Sequence, residues 1–391
     1  MVFRKHLINP IKELAENGKL TGIMLIIATF ISLLLSNSDY GISYLKIWGT
    51  EIGPSFLHKS ILHWINDGFM AVFFLFVGLE IKRELVEGEL STRKQAVLPV
   101  VAAFGGIFLP ALIFFLFNGR NTESISGWAI PTATDIAFSL GILSLLGNRV
   151  SFALKIFLTA LAIIDDLGAI LIIAIFYTNQ LHLNMIIFAA LVLIILIIMN
   201  KMKVKQLSFF LLPGVALWYF ILKSGIHPTV AGVLLAFTIP LNLIVDLEHR
   251  LNKPVNYLVL PLFALANTAM QVSVEQTGNL IAPLSLGIIF GLFIGKPAGI
   301  FLASFIAVKS KFAILPTDIN WKQILGLGMM AGIGFTMSIF IASLSFKTES
   351  ALTLAKLAIL AGSLLSAIAG ILILWFTSAR DKTIDINEKK T

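Results

Sequence analysis

The sequence predicts an all-α membrane protein of about twelve transmembrane helices, each set by the length an apolar helix needs to cross a bilayer. Composition is the first observation behind this. Hydrophobic residues make up 58% of the 391-residue chain and charged residues 13%, with a mean hydropathy of +0.93. Soluble domains average about 45–50% and about 25%. Run length is the second. Apolar runs of roughly 17–25 residues lie near 15–36, 60–82, 96–117, 125–146, 152–177, 183–200, 207–222, 225–241, 255–272, 285–308, 324–346 and 354–378. Charge placement is the third. An even number of spans puts both termini on one side, and that side collects Lys82, Arg83, Arg93, Lys94, Lys201, Lys203, Lys205, Arg250, Lys309, Lys311 and Arg380. The opposite loops hold only Lys46, Lys59, Arg120, Lys223, Lys347 and Lys356. Basic residues mark the cytoplasmic face, so both termini are expected there.

The same facts exclude other classes. No cysteine is present, which removes disulfides, thiolate metal sites and cysteine nucleophiles. The net charge of +8 sits in short clusters between apolar runs, without a basic face or an aromatic platform, so nucleic acid is not an expected partner. The first apolar run, from Thr21 to Leu35, lacks a small-residue cleavage site after it and reads as a retained helix, not a signal peptide. Residues 1–391 read as a single transmembrane domain with a short polar tail at 380–391. The loop from Asn37 to Lys59 is long; Tyr44–Trp48 and Glu51–Phe56 around Gly49 suit either a small hairpin or irregular backbone.

Ionisable residues inside apolar spans point to function, because each costs at least about 2.5–3.5 kcal/mol to insert. Asp135, Asp165, Asp166 and Lys296 lie near the middles of their spans, and Asp67 lies nearer the periplasmic end of the second. Asp165 and Asp166 are adjacent, so on a helix they point about 100° apart and are expected to differ in role. A carboxylate can take up a proton, and its oxygens are ligands for a hard cation. One group that holds either, but not both, is the minimum an exchanger needs. The alternative is a purely structural pairing with Lys296. An intramembrane aspartyl protease also needs two acids, but on facing helices sharing a proton. A passive cation channel would not couple sodium to protons.

Asp135 follows Pro131, Thr132 and Thr134. Proline removes a backbone donor, and threonine side chains can bond the freed groups. Gly332 and Gly334 weaken the eleventh span at a similar depth, or mark close helix packing. Interrupted spans in corresponding positions of two halves suggest inverted repeats, here spans three to five and ten to twelve. Leu109-Pro110-Ala111 and Lys296-Pro297-Ala298 are a fainter echo. Broken helices leave dipole ends inside the membrane, and Asp135 and Lys296 have the signs to neutralise them. Lys296 could equally pair with Asp165. Nearer the cytoplasm, Glu80, Arg83, Glu84 and Glu87 recur at helical spacing, and Glu248, His249 and Arg250 precede the ninth span. They suit a solvated helix end or an electrostatic funnel and pH sensor. His227, in Ser224-Gly-Ile-His-Pro-Thr229, suits packing or capping better than ligation.

These segments together resemble the bacterial sodium–proton antiporter NhaA family. The resemblance is carried by Ala129-Ile-Pro-Thr-Ala-Thr-Asp-Ile-Ala-Phe138, Ala162-Ile-Ile-Asp-Asp-Leu-Gly168, Ile294-Gly-Lys-Pro297 and Gly332-Ile-Gly-Phe-Thr-Met-Ser338. Phe73-Phe-Leu-Phe-Val-Gly-Leu-Glu-Ile-Lys-Arg-Glu-Leu85 and Leu260-Pro-Leu-Phe-Ala-Leu-Ala-Asn267 add to it, so nearly the whole chain is covered in order. The resemblance implies an inverted-repeat transporter, electrogenic, exchanging Na+ or Li+ for H+, with no cofactor and no enzymatic activity. It implies that Asp165 and Asp166 bind the ions, that Asp135 and Thr134 mark the break of the fourth span, and that Lys296 is essential. It further implies a pH response at Glu80, Arg83, Glu84, Glu248 and His227. Val245 departs from the family, which carries a basic residue three positions before the ninth-span glutamate. A homodimer through a periplasmic hairpin near residues 44–56 is also implied, which favours the hairpin reading of that loop.

Overall fold

The computed structural model describes residues 2–178, 180–273 and 278–378. The expected polar tail at 380–391 lies outside the described residues. The architecture is all-α, with one two-stranded ribbon among the described residues. Among the described residues, eight helices are long and apolar enough to cross a membrane, including Ile61–Val86, Gln95–Asn118, Ile125–Leu145, Phe152–Phe176 and Pro283–Lys309. Trp321–Ala331 and Phe335–Ser345 form a ninth span, bent by 47°. The other three expected spans correspond to the shorter helices Ser208–Ser224, Thr229–Thr238 and Leu260–Asn267. Length and apolarity alone therefore stop short of twelve.

The expected halves cross as a two-fold relation requires. Helices Arg93–Asn118 and Lys296–Lys309 meet at Gly105 and Gly299. A Cβ on Gly105 would lie 2.3 Å from the Gly299 carbonyl oxygen, and one on Gly299 would lie 2.1 Å from that of Gly105. Only hydrogen at both positions lets the backbones approach this closely. The interrupted spans answer each other in the same way. Ser139 Oγ donates to the Met330 carbonyl at 2.8 Å, and Ser338 Oγ donates to the Ile130 carbonyl at 2.8 Å. Such reciprocity is the signature of an isologous contact. The proline echo has no such effect, because Arg93–Asn118 runs unbroken through Pro99 and Pro110.

Among the described residues, three helices contain a π-turn, at Trp64–Phe69, Val255–Val259 and Gly291–Gly295. The last ends at Lys296, before Pro297, which brings no N–H to the ladder. The main core packs around the broken spans. A second cluster joins Leu75 and Leu79 to the helices Leu183–Lys201, Ser208–Ser224 and Thr229–Thr238.

The loop after Ser36 corrects the hairpin expectation. Tyr44–Trp48 is not a strand but part of the helix Gly41–Gly49. Tyr44 and Trp48, one turn apart, make an edge-to-face pair at 5.7 Å, and Tyr44 Oη donates to Ser32 Oγ at 3.0 Å. Helical spacing places the two rings one turn apart on the same face. The ribbon pairs Glu51–Ile52 with Lys59–Ser60 instead.

The glycine crossing gives a stability prediction. Gly105→Val should lower the thermal unfolding midpoint of the detergent-purified protein, as overpacking typically costs about 1–3 kcal/mol. Gly49→Ala, where a Cβ meets nothing within 4 Å, should leave it in place. Equal midpoints for the two variants would contradict the crossing.

Candidate ion site at the crossed breaks

Breaking a helix strands its terminal N–H and C=O groups, and in apolar surroundings the protein must satisfy them. The fourth expected span begins as the 3₁₀ helix Ile125–Thr132, extends through Ala133, and restarts as Ile136–Leu145. Asp135 is the N-cap of the second piece, its Oδ1 accepting from Phe138 N at 2.9 Å. Its Oδ2 accepts from Thr336 N at 3.1 Å and from the Thr336 hydroxyl. One buried carboxylate therefore faces the N-terminal ends of two half-helices, where negative charge is favoured. The Asp135 N–H donates to the Ile333 carbonyl at 2.8 Å, inside the opposite break. Ser363 Oγ accepts from Phe335 N at 3.1 Å. Gly332 and Gly334 serve packing as well as the break: a Cβ on Gly332 would lie 2.5 Å from the Leu292 carbonyl, and one on Gly334 2.0 Å from Ser338 Oγ.

Lys296 meets the other ends. Fully buried, its ammonium donates to the Thr132 carbonyl, at the C-terminus of the 3₁₀ piece, and to Asp165 Oδ2. The two partners left open by the sequence are thus both engaged. Thr134 Oγ1 lies 2.6 Å from Asp165 Oδ2 and 2.8 Å from the Ala331 carbonyl, the C-terminus of the other half-helix. Its single hydrogen serves one of them at a time.

Asp165 and Asp166 differ as adjacent helical residues should. Asp165 is tied to Lys296 and Thr134 through one oxygen, while its Oδ1 is buried without a hydrogen-bond partner. Asp166, 1% exposed, has no partner at Oδ2 and lines a cavity shared with Glu80. Two unpartnered carboxylate oxygens on neighbouring residues are the chemical core of the site. Buried acceptors normally find donors, so oxygens left free suit a proton or a cation that comes and goes.

Glu80, which lines the same cavity as Asp166, is buried with one unpartnered oxygen. Arg83 binds Glu248 through two parallel contacts of 2.9 and 3.1 Å and Glu84 at 2.7 Å. Bidentate pairs of this kind fix geometry as well as charge. Burial holds the Glu248 carboxyl above the usual glutamate range, against the pull of Arg83. Glu84 Oε2 also accepts from Glu89 N at 3.0 Å. The cluster is therefore a partly buried network, not a solvated helix end. At the other end of the molecule, His227 Nε2 lies 3.6 Å from Asp67 Oδ1 and Nδ1 lies 2.8 Å from Thr229 Oγ1. The structure pairs two residues that the sequence presents separately, and places neither among the groups at the crossing. Thr336, which bonds Asp135, was passed over in the sequence, although a threonine inside the second break motif was the available signal.

The sequence comparisons agree over nearly the whole chain. The family described as Na+/H+ antiporter 1 matches residues 12–374. A Na+/H+ antiporter NhaA 2 of Flavobacterium johnsoniae is 51% identical over 363 residues, covering 90% of this chain and 89% of the relative. A Na+/H+ antiporter NhaA of Yersinia pseudotuberculosis is 50% identical over 391 residues, covering 97% and 99%. With matches of this extent and eight or more spanning helices, the chain is a multi-pass inner-membrane protein and belongs to the Na+/H+ antiporter family of NhaA type.

Proposed function

We propose that the protein is a secondary active transporter that expels Na+, and also Li+, from the cytoplasm in exchange for H+, electrogenically and in a pH-dependent way. Sodium and pH homeostasis are then its physiological role. The observation that carries this reading is the pair of unpartnered oxygens on Asp165 and Asp166 beside the crossed breaks. Asp166 is the primary ligand and Asp165 its partner. Protons from the periplasm load the carboxyls, and sodium arriving at the cytoplasmic face displaces them. Two carboxyls at one site can release more protons than the single charge a sodium ion brings, which supports electrogenic exchange. The crossed half-helices are the element that rocks in alternating access. The lysine-rich end faces the cytoplasm, so Glu80, Arg83, Glu84 and Glu248 meet the ion first and set the pH response, with His227 and Asp67 acting at the periplasmic end. An aspartyl protease is disfavoured, because Asp165 Oδ2 is held by Lys296 and Thr134 and not by a facing acid.

Apolar side chains such as Phe104, Phe108, Ile187 and Ile194 are exposed on the spans and meet lipid. The ribbon Glu51–Ile52 with Lys59–Ser60, flanked by exposed Ile42, Ile47 and Phe56, is the contact of a homodimer.

Sodium-dependent proton movement in proteoliposomes tests the function. Asp166→Asn, which keeps the shape but loses the exchangeable proton and the charge, should abolish the flux while the protein still folds. Near-normal flux would remove Asp166 from the site. Lys296→Ala should lower the unfolding midpoint, since losing one partner of a buried ion pair typically costs about 3–5 kcal/mol. An unchanged midpoint together with unchanged transport would contradict its role in compensating charge at the breaks.

A further inference from the structure

The wall of the cavity between Glu80 and Asp166 is otherwise apolar, formed by side chains such as Phe73, Phe76, Val77 and Leu140, with one neutral polar side chain in it, Asn256. Asn256 was not among the residues the sequence pointed to. Its Nδ2 donates to the Asn252 carbonyl at 3.0 Å and to Asn252 Oδ1 at 2.7 Å, both one turn earlier in the same helix. A backbone carbonyl can only accept, so this contact fixes which way the amide is turned. The amino group faces Asn252, and Oδ1 is the atom left to accept. Asn256 also sits in the π-turn Val255–Val259. Such turns insert an extra residue into a helix and recur at functional sites. An amide in an apolar wall is costly unless its groups are partnered. An aliphatic side chain would avoid that cost, as Val255 does beside it.

We propose that the Asn256 side-chain oxygen is a transient ligand for the entering sodium ion and its water, between Glu80 and Asp166. This rests on the exchange reading above. The cavity, about 30 Å³, has room for about two ordered waters, so an ion crosses it only partly hydrated. Hard cations prefer oxygen ligands, and the amide oxygen replaces one lost water. A neutral ligand suits an intermediate position, because conduction needs binding strong enough to admit the ion and weak enough to release it. A third carboxylate between Glu80 and Asp166 would hold the ion instead.

Sodium chloride titrations of proton flux, with the full-length protein in proteoliposomes at one pH, test this. Asn256→Leu removes the oxygen at similar volume. Its apparent KM for sodium should rise by about tenfold, the factor one hydrogen-bond-strength contact to a charge contributes, with kcat and unfolding midpoint close to the parent's. Asn256→Ala, which cannot clash, should show the same rise. Asn256→Asp keeps a side-chain oxygen and adds a charge that holds the ion, so its KM should not rise while its kcat should fall. An active parent whose KM is unchanged by both Asn256→Leu and Asn256→Ala would overturn this proposal alone. So would an Asn256→Asp variant that loses KM as far as Asn256→Leu, since that marks a packing role. A parent without sodium-driven proton flux would overturn the exchange reading and this one with it.

Discussion

A helix broken inside apolar surroundings exposes backbone groups that water cannot reach, and each must be satisfied by the protein itself. That constraint organises the centre of this molecule. Two helices break at the same place and cross, so each break supplies part of what the other lacks. Ser139 and Ser338 donate to carbonyls of the opposite span, and the Asp135 N–H donates to the Ile333 carbonyl. What remains is net dipole charge at the four half-helix ends. Asp135 answers the two N-terminal ends, and Lys296 answers a C-terminal one. Removing either break would leave the other unsatisfied, so the arrangement stands or falls as a unit.

Function follows from what this arrangement leaves over. Lys296 needs an anion and takes one oxygen of Asp165. The other Asp165 oxygen, and the adjacent Asp166, are left buried beside the crossing without donors. An isolated carboxylate there would be costly, and the two together more so. On the proposed reading, relief comes by binding a proton or a cation. A crossing of half-helices is also a poor place for rigidity, since it rests on a few side-chain bonds and not on a continuous ladder. Weak backbone continuity beside a site that must face two sides in turn is what alternating access requires.

Much of this was legible in the sequence because membrane insertion penalises charge and broken backbone so heavily. Asp135, Asp165, Asp166 and Lys296 stand out against apolar runs, and Pro131, Gly332 and Gly334 mark the breaks. Long-range pairing was not legible. Nothing local says that Asp135 meets Thr336, that His227 meets Asp67, or that Gly105 meets Gly299, since each depends on how distant helices cross. The loop after Ser36 was misread where signals were weak: Gly49 suggested a turn, and the four-residue spacing of Tyr44 and Trp48 suits one face of a strand as well as one face of a helix. The expected count of twelve is not reached in the structure by length and apolarity, because helices such as Thr229–Thr238 are too short to meet both. Asn256 escaped notice because a single amide in an apolar run is cheap enough to pass as structural.

The central claim is that proton and sodium compete for the same carboxylates. Linkage then requires each to weaken the other's binding by the same factor. The most direct measurement is calorimetric sodium binding to the purified protein at several pH values, in buffers of different ionisation enthalpy. The account predicts that apparent sodium affinity increases as pH rises until the acids are deprotonated, and that binding releases protons. A sodium affinity independent of pH, with no protons released, would place the two ions at separate sites and contradict it.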